Sequence, residues 1–310
     1  MRTPWQDIAA LALPAVLVLL ALTILGEALR ARRGAADGPT LDLFMTRVES
    51  WWAMVVLFTL ALMAGPWAVV ALFAVAGFAA LREFYTFSDR AQADHWALAA
   101  AFYLVLPAQF LFTALGWQGL FGAFVPVFAF LFLPLLAVVR GDPGRFLVRV
   151  SETQWGLMIC AFALSHIPAL IWLGEPGRGV LMIGFLVIVV QVADLTDFFV
   201  GRRFGRRRIV PAISPKTWAG VGAGLAAAGV LGALLAGLTP FGTTGSVVLA
   251  LAGAAAGFCG NLVLAAIKRD KGVRDWSHLI PGQGGFLGQL DSAIFAAPVV
   301  YHLARLWLLD

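Results

Sequence analysis

Residues 261–310 read NLVLAAIKRDKGVRDWSHLIPGQGGFLGQLDSAIFAAPVVYHLARLWLLD. An apolar run stops at Lys268-Arg269-Asp270-Lys271 and gives way to Arg274-Asp275 and the glycine-rich Pro281-Gly282-Gln283-Gly284-Gly285. A second apolar run follows, with Asp291 inside it. Hydrocarbon leaves a chain no water to satisfy its peptide groups, so apolar runs of this kind cross a bilayer as helices of about 20 residues. The polar stretch is then a loop held between two spans. Lys268 and Arg269 can neutralise phosphate charge there, and Gly282, Gly284 and Gly285 can offer bare amides to phosphate oxygens. For the glycines alone, a re-entrant turn is an equally good reading.

The rest of the chain agrees with a membrane fold. Of its 310 residues, 61% are apolar and only 13% are charged, and the mean hydropathy is +0.89. That composition excludes an ordinary soluble domain, and no polar stretch is long enough to build one. Both cysteines, Cys160 and Cys259, fall in apolar runs, which argues against a disulfide framework or a thiolate metal site.

The pattern predicts an all-α polytopic bundle of ten spans, near 8–28, 51–64, 67–82, 97–115, 119–139, 155–173, 179–199, 217–238, 245–267 and 286–307. Arg30, Arg32 and Arg33 follow the first apolar run rather than precede it, so it reads as an uncleaved anchor and not a signal peptide. The second and third runs are separated by Gly65-Pro66, a tight hairpin; nine spans result if the two are one bent helix. Charge favours ten. With that count, 19 of the 22 Lys and Arg residues fall on the connectors after spans one, three, five, seven and nine. Positively charged loops stay in the cytoplasm, so these five connectors are expected there and the N-terminus outside.

Some polar residues exceed what topology needs. Gln191, Asp194 and Asp197 share one face of span seven at a spacing of three, and an acid within a span is usually a metal, proton or substrate site. The structural alternative for Asp197 is an interfacial pair with Arg202 or Arg203. The loop after it holds five arginines in seven residues, Arg202 to Arg208, suited to anionic headgroups or a nucleotide. Ser214-Pro215-Lys216-Thr217 then offers two hydroxyls and an ammonium just before a helix start, where anions bind readily. Gly220, Gly222 and Gly224 follow no strand, so they read as close helix packing rather than a dinucleotide fingerprint. Asp275 can bind a metal or orient a base. Asp291, one turn into span ten beside Ser292, is the best-placed metal ligand. His278 is a solvated loop histidine in the plainer reading, and His166 and His302 are structural.

Taken together these stretches resemble the phosphatidate cytidylyltransferase (CDP-diacylglycerol synthase) family. Lys268-Arg269, Arg274-Asp275, Pro281-Gly282, Gly284-Gly285 and Asp291 match its C-terminal signature in register, with Arg274 in place of Lys. Ser214-Pro215-Lys216-Thr217-Trp218, Phe198-Phe199 with Gly201-Arg202 and Phe204-Gly205, and Arg82-Glu83-Phe84-Tyr85 are similar to its upstream motifs. The resemblance spans roughly residues 45–305. Members commonly carry Asp at Asn261, Ser at Ala265, His at Gln283, Asp-Arg at Gly288-Gln289 and Glu at Ala219.

The resemblance implies transfer of CMP from CTP to phosphatidic acid in the bilayer, at the cytoplasmic face of a bacterial inner membrane. It implies Mg²⁺, with room for a second monovalent or divalent cation. Asp291, Lys268, Arg269 and Asp275 are the catalytic candidates. Ser214, Lys216, Thr217, Arg274, Gly282, Gly284 and Gly285 are the nucleotide-binding candidates, and Asp291, Asp194, Asp197 and Asn261 the metal ligands. Residues 1–50 would be an anchor and linker, 51–175 an N-terminal bundle, and 176–310 the catalytic region. Nucleic acid is not an expected partner; a homodimer is left open. Two alternatives stand beside this: a degenerate homologue that binds nucleotide or anionic lipid without turnover, and a related CTP-dependent lipid-modifying enzyme.

Overall fold

A computed structural model describes residues 4–33, 38–88, 94–139, 141–173, 179–280, 282 and 284–309. Within them the chain forms ten helical rods and no strand. These are α1 (Pro4–Arg33), α2 (Gly38–Ala64), α3 (Pro66–Thr86), α4 (His95–Ala114), α5 (Gln118–Val138), α6 (Phe146–Trp172), α7 (Gly179–Phe204), α8 (Trp218–Leu234), α9 (Gly242–Asp270) and α10 (Phe286–Leu309). Eight of the rods are long and apolar enough to cross a membrane. The 17-residue α8 is shorter, and α10 carries Asp291, Pro298, His302 and Arg305 along its length. The protein is an integral membrane helix bundle, as its hydropathy predicts.

The Gly65-Pro66 hairpin is real. Gly65 takes a φ of 107°, a left-handed value that favours glycine, and Pro66 opens α3, which folds back on α2. Two boundaries differ from the sequence reading. Helix α2 begins at Gly38 rather than near residue 51, so it runs through the expected linker. Helix α6 begins at Phe146 rather than near 155, because its amphipathic first turns lie beyond the apolar core that marks the span.

Two features position the site. Helices α7 to α10 pack as a group through small residues, since bare backbones approach closely where side chains are absent. A Cβ on Gly224 would fall 2.7 Å from the Ala193 carbonyl oxygen, and one on Gly232 would fall 2.8 Å from that of Ser246. Gly220 and Gly224 are therefore packing residues, as expected, whereas Gly222 is exposed and meets no neighbour. Helix α10 also packs on α3 and α6, joining this group to the N-terminal helices. Exposed Leu13, Leu17 and Ile24 show that α1 lies at the periphery.

The predicted basic connectors meet at one end of the bundle. Arg47 Nε donates to the Gly282 carbonyl at 2.8 Å, and Lys271 pairs with Glu152. Arg149 forms a buried pair with Asp94 at 2.7 Å. The connectors after spans one, three, five and nine are thus in contact with one another.

Candidate functional site

At that end, four segments converge on one polar cluster. Asp194 and Asp197 project from the last turns of α7. The Lys216 ammonium lies between them, paired with Asp197 and 3.4 Å from Asp194 Oδ1. Asp197 is buried and takes Lys216 as its partner; the interfacial pair with Arg202 or Arg203 is not formed. From α9, the Asn261 amide donates to Asp194 Oδ1 at 2.9 Å and to Ser292 Oγ at 2.8 Å. The Ser292 hydroxyl, on α10, hydrogen-bonds to Asp194 and lies 3.3 Å from Asp291 Oδ1. The Asp291 carboxylate also accepts the Ser292 backbone N–H at 2.8 Å.

The local fold explains why Lys216 arrives there. The Ser214 hydroxyl accepts the Lys216 N–H at 3.3 Å and turns the chain. Thr217 caps α8, its Oγ1 accepting the Gly220 N–H at 3.2 Å, an ordinary N-cap role. Gly220 lets α8 pass directly over Asp197, whose carbonyl oxygen would be 2.6 Å from any Cβ there. The hydroxyls of Ser214 and Thr217 are therefore engaged in shaping the loop. Lys216 also lies 5.6 Å from the Phe258 ring centroid, within cation–π range.

Asp194, Asp197, Lys216, Asn261 and Asp291 thus come together. Lys268 lies in the last turn of α9. Arg269, in the last turn of α9, and Arg274, beyond its end, are exposed, and so is His278. Asp275 packs over the glycine turn, its Oδ1 lying 2.9 Å from where a Gly284 Cβ would stand. Gln283 falls outside the described residues.

Two residues were not legible as site-builders. Ser292 is the hub between Asp194 and Asp291, and only its place beside Asp291 hinted at this. The other is Glu83 of α3, 2% exposed. Its carboxylate accepts the Ser277 hydroxyl at 2.5 Å, the Phe286 N–H at 3.0 Å and the Leu287 N–H at 2.8 Å. The positive end of α10 therefore holds an anion of the protein itself. Gly282, Gly284 and Gly285 take φ values of 72°, 74° and 94° to bring the loop over it. A Cβ on Gly285 would lie 2.5 Å from Glu83 Oε1 and from Ser277 Oγ. Trp276, buried and stacked on Phe84 at 5.8 Å, secures the same loop from the other side. The signal in the sequence was an acid inside an apolar run, which demands a partner.

Among the described residues, no three His, Cys, Asp or Glu side chains stand close enough to hold a metal by themselves. Mg²⁺ usually takes one or two carboxylates and completes its octahedron with water and substrate phosphates. Asp194 and Asp291, sharing the Ser292 hydroxyl, are a pair of that kind. The Asn261 amide nitrogen is engaged with Asp194, which leaves its carbonyl oxygen as the third donor. This oxygen set fits Mg²⁺. A groove of about 600 Å³ also opens beside α9, lined by residues such as Phe84, Leu147, Trp155, Val263 and Ile267. The Asp194–Lys216 cluster does not line it.

Ten helices carrying an acid–lysine cluster at one end define a polytopic membrane protein with a polar site where its loops converge. The chain belongs to the cytidylyltransferase family, whose pattern matches residues 45–307. It is 35% identical over 266 residues to the uncharacterized protein YnbB of Escherichia coli K12, covering 84% of this chain and 86% of that one. It is 38% identical over 131 residues to a phosphatidate cytidylyltransferase of Haemophilus influenzae, covering 40% of this chain and 46% of the other. A phosphatidate cytidylyltransferase of Brucella abortus matches at 36% over 160 residues, 48% of this chain and 58% of that one. The match therefore spans about half the length of the named phosphatidate cytidylyltransferases.

Proposed function

We propose that the protein transfers the cytidylyl group of CTP to phosphatidic acid, forming CDP-diacylglycerol and pyrophosphate. The observation that carries this reading is the chain of contacts Lys216–Asp194–Ser292–Asp291, with Asn261 bridging it, in a cytidylyltransferase-family protein. The names of the relatives from Haemophilus and Brucella support the choice of lipid acceptor.

In the reaction an oxygen of the lipid phosphate attacks the α-phosphorus of CTP. A new P–O bond forms there, and the bond to the β-phosphate oxygen breaks, its electron pair leaving with pyrophosphate. The attacking oxygen is already anionic, so no strong base is needed. The barrier lies in bringing two anions together and in stabilising the charge that builds on the departing phosphates. Lys216 and Lys268 supply positive charge at the cluster, and Arg269, at the end of α9, and Arg274, on the loop, meet the outer phosphates. Asp275 orients that loop. Asp194, Asp291 and Asn261 would hold Mg²⁺, with Asp197 keeping Lys216 in place. Bound there, the ion would neutralise phosphate charge and align the two substrates. A site at the end of the bundle suits one soluble substrate and one held in the bilayer. The positive-inside pattern supports a cytoplasmic placement of that end.

The test is turnover by the purified protein with labelled CTP, phosphatidic acid and Mg²⁺. Labelled CDP-diacylglycerol with equimolar pyrophosphate is expected. Release of CDP instead would mark a kinase. A second reading, nucleotide binding without turnover, is favoured by Asn261 and Gly288, which stand one turn or one contact from the two acids. CTP binding with no lipid product would establish it.

A further inference from the structure

The arginine run is not absorbed by the chemistry above. Arg202, Arg203, Arg206, Arg207 and Arg208 are all exposed, and none forms an ion pair among the described residues. They alternate with large rings that are equally bare. Phe198 is 52% exposed, Phe199 65%, Phe204 68% and Trp218 64%. Two guanidinium groups lie over these rings, Arg202 at 6.0 Å from the Phe198 centroid and Arg203 at 5.8 Å from that of Phe204.

The patch is rigid and adjoins the site. The Ile209 N–H donates to the Lys216 carbonyl at 3.0 Å, and the Trp218 N–H to the Arg207 carbonyl at 3.2 Å. Arg208 and Thr217 pair as an antiparallel bridge. Gly205 is pressed against Thr217, whose Cγ2 would lie 2.6 Å from a Cβ there. The arginine strip and the Lys216 loop are therefore joined by backbone hydrogen bonds.

We propose that this strip binds anionic phospholipid headgroups of the surrounding leaflet. Phosphate groups answer the guanidinium charge, and the rings reach the glycerol and upper acyl region, where Phe and Trp are at home. A nucleotide would satisfy the charge but leave four large rings in water, so a lipid is the occupant that uses both halves of the patch. The effect is to hold a layer of negative lipid next to Lys216. It does not depend on the catalytic reading, because any anionic diacyl lipid can fill it.

The experiment uses full-length protein in neutral maltoside micelles with fluorescent short-chain phosphatidylglycerol as probe, read by anisotropy. Phosphatidylglycerol is chosen because it is not the acceptor proposed above. A juxtamembrane arginine contributes about 1 kcal/mol towards an anionic surface, or roughly fivefold in affinity. The variant R202Q/R203Q/R206Q should therefore bind the probe on the order of 100-fold more weakly. The all-lysine variant R202K/R203K/R206K should keep most of the affinity, and binding to wild type should fall with added salt. A matched phosphatidylcholine probe should bind weakly to all three proteins, and labelled CTP should bind them equally. Unchanged phosphatidylglycerol affinity in the glutamine variant would overturn the proposal. So would salt-independent binding by the wild type, a readout that needs no variant to fold. Loss of CTP binding with lipid binding intact would assign the strip to the nucleotide instead.

Discussion

Replacing Glu83 with glutamine keeps the volume of the side chain but removes the charge that the start of α10 faces. The carboxylate accepts three hydrogen bonds there, with two donors on Oε1 and one on Oε2. An amide keeps one oxygen for the Ser277 hydroxyl and the Phe286 N–H, and it turns an NH₂ group towards the Leu287 N–H. One buried N–H is then unsatisfied, at a cost of about 1–3 kcal/mol. The two remaining bonds lose their charge assistance, roughly 1 kcal/mol each. Glu83→Gln should thus cost about 3–5 kcal/mol, a large share of the roughly 5–15 kcal/mol that holds a typical protein folded. Because Glu83 is almost wholly buried, solvent screening does not reduce this figure. Thermal unfolding in detergent, followed by tryptophan emission, should show the loss as a fall of several degrees in midpoint. Trp276 belongs to the same loop and should redden before the global transition. If the variant melts with the wild type and its emission is unshifted, the capping account is wrong.

Other expectations are as direct. Asp291→Ala should abolish CTP-dependent lipid product while leaving insertion and size-exclusion behaviour intact; full activity would remove Asp291 from the site. Gly288→Asp restores an acid one turn before Asp291 and should raise turnover, whereas no gain would mean that another ligand already serves. Lys216→Met strands Asp194 and Asp197 without their cation and should lower kcat/KM at least 100-fold, as loss of a transition-state charge partner does; a small change confined to KM would refute this. Arg149→Ala, which breaks the buried pair with Asp94, should destabilise by about 3–5 kcal/mol. Arg149→Met with Asp94→Leu should be markedly milder when both are compared by thermal unfolding.

Much of this architecture was legible because hydrocarbon is an unforgiving solvent. Apolar runs gave the rods, and the alternation of Lys and Arg gave the face on which the loops meet. Asp194, Asp197 and Asp291 were legible for the same reason, being acids in apolar runs. The start of α6 was not, since Arg149 and Glu152 break the apolar pattern while their ion pairs still hold the turns in place. The Glu83 clamp and the Ser292 hub were hidden because they join residues far apart in the chain, and period and spacing report only on neighbours. The glycines between 282 and 285 gave an ambiguous signal, as bare amides serve a turn and a phosphate equally well. Their left-handed backbone forms the turn.

The bond between Glu83 and the start of α10 also sets a schedule. Its partners lie 203 and 204 residues further along the chain. At 5–20 residues per second, they leave the ribosome roughly 10–40 s after the acid does. For that interval α3 carries an unanswered carboxylate at the membrane border, and the early helices lack the contact that locks them to the late ones. The contact between α3 and α10 therefore cannot form until the last helix is made, and a chain truncated before Phe286 would lack it altogether.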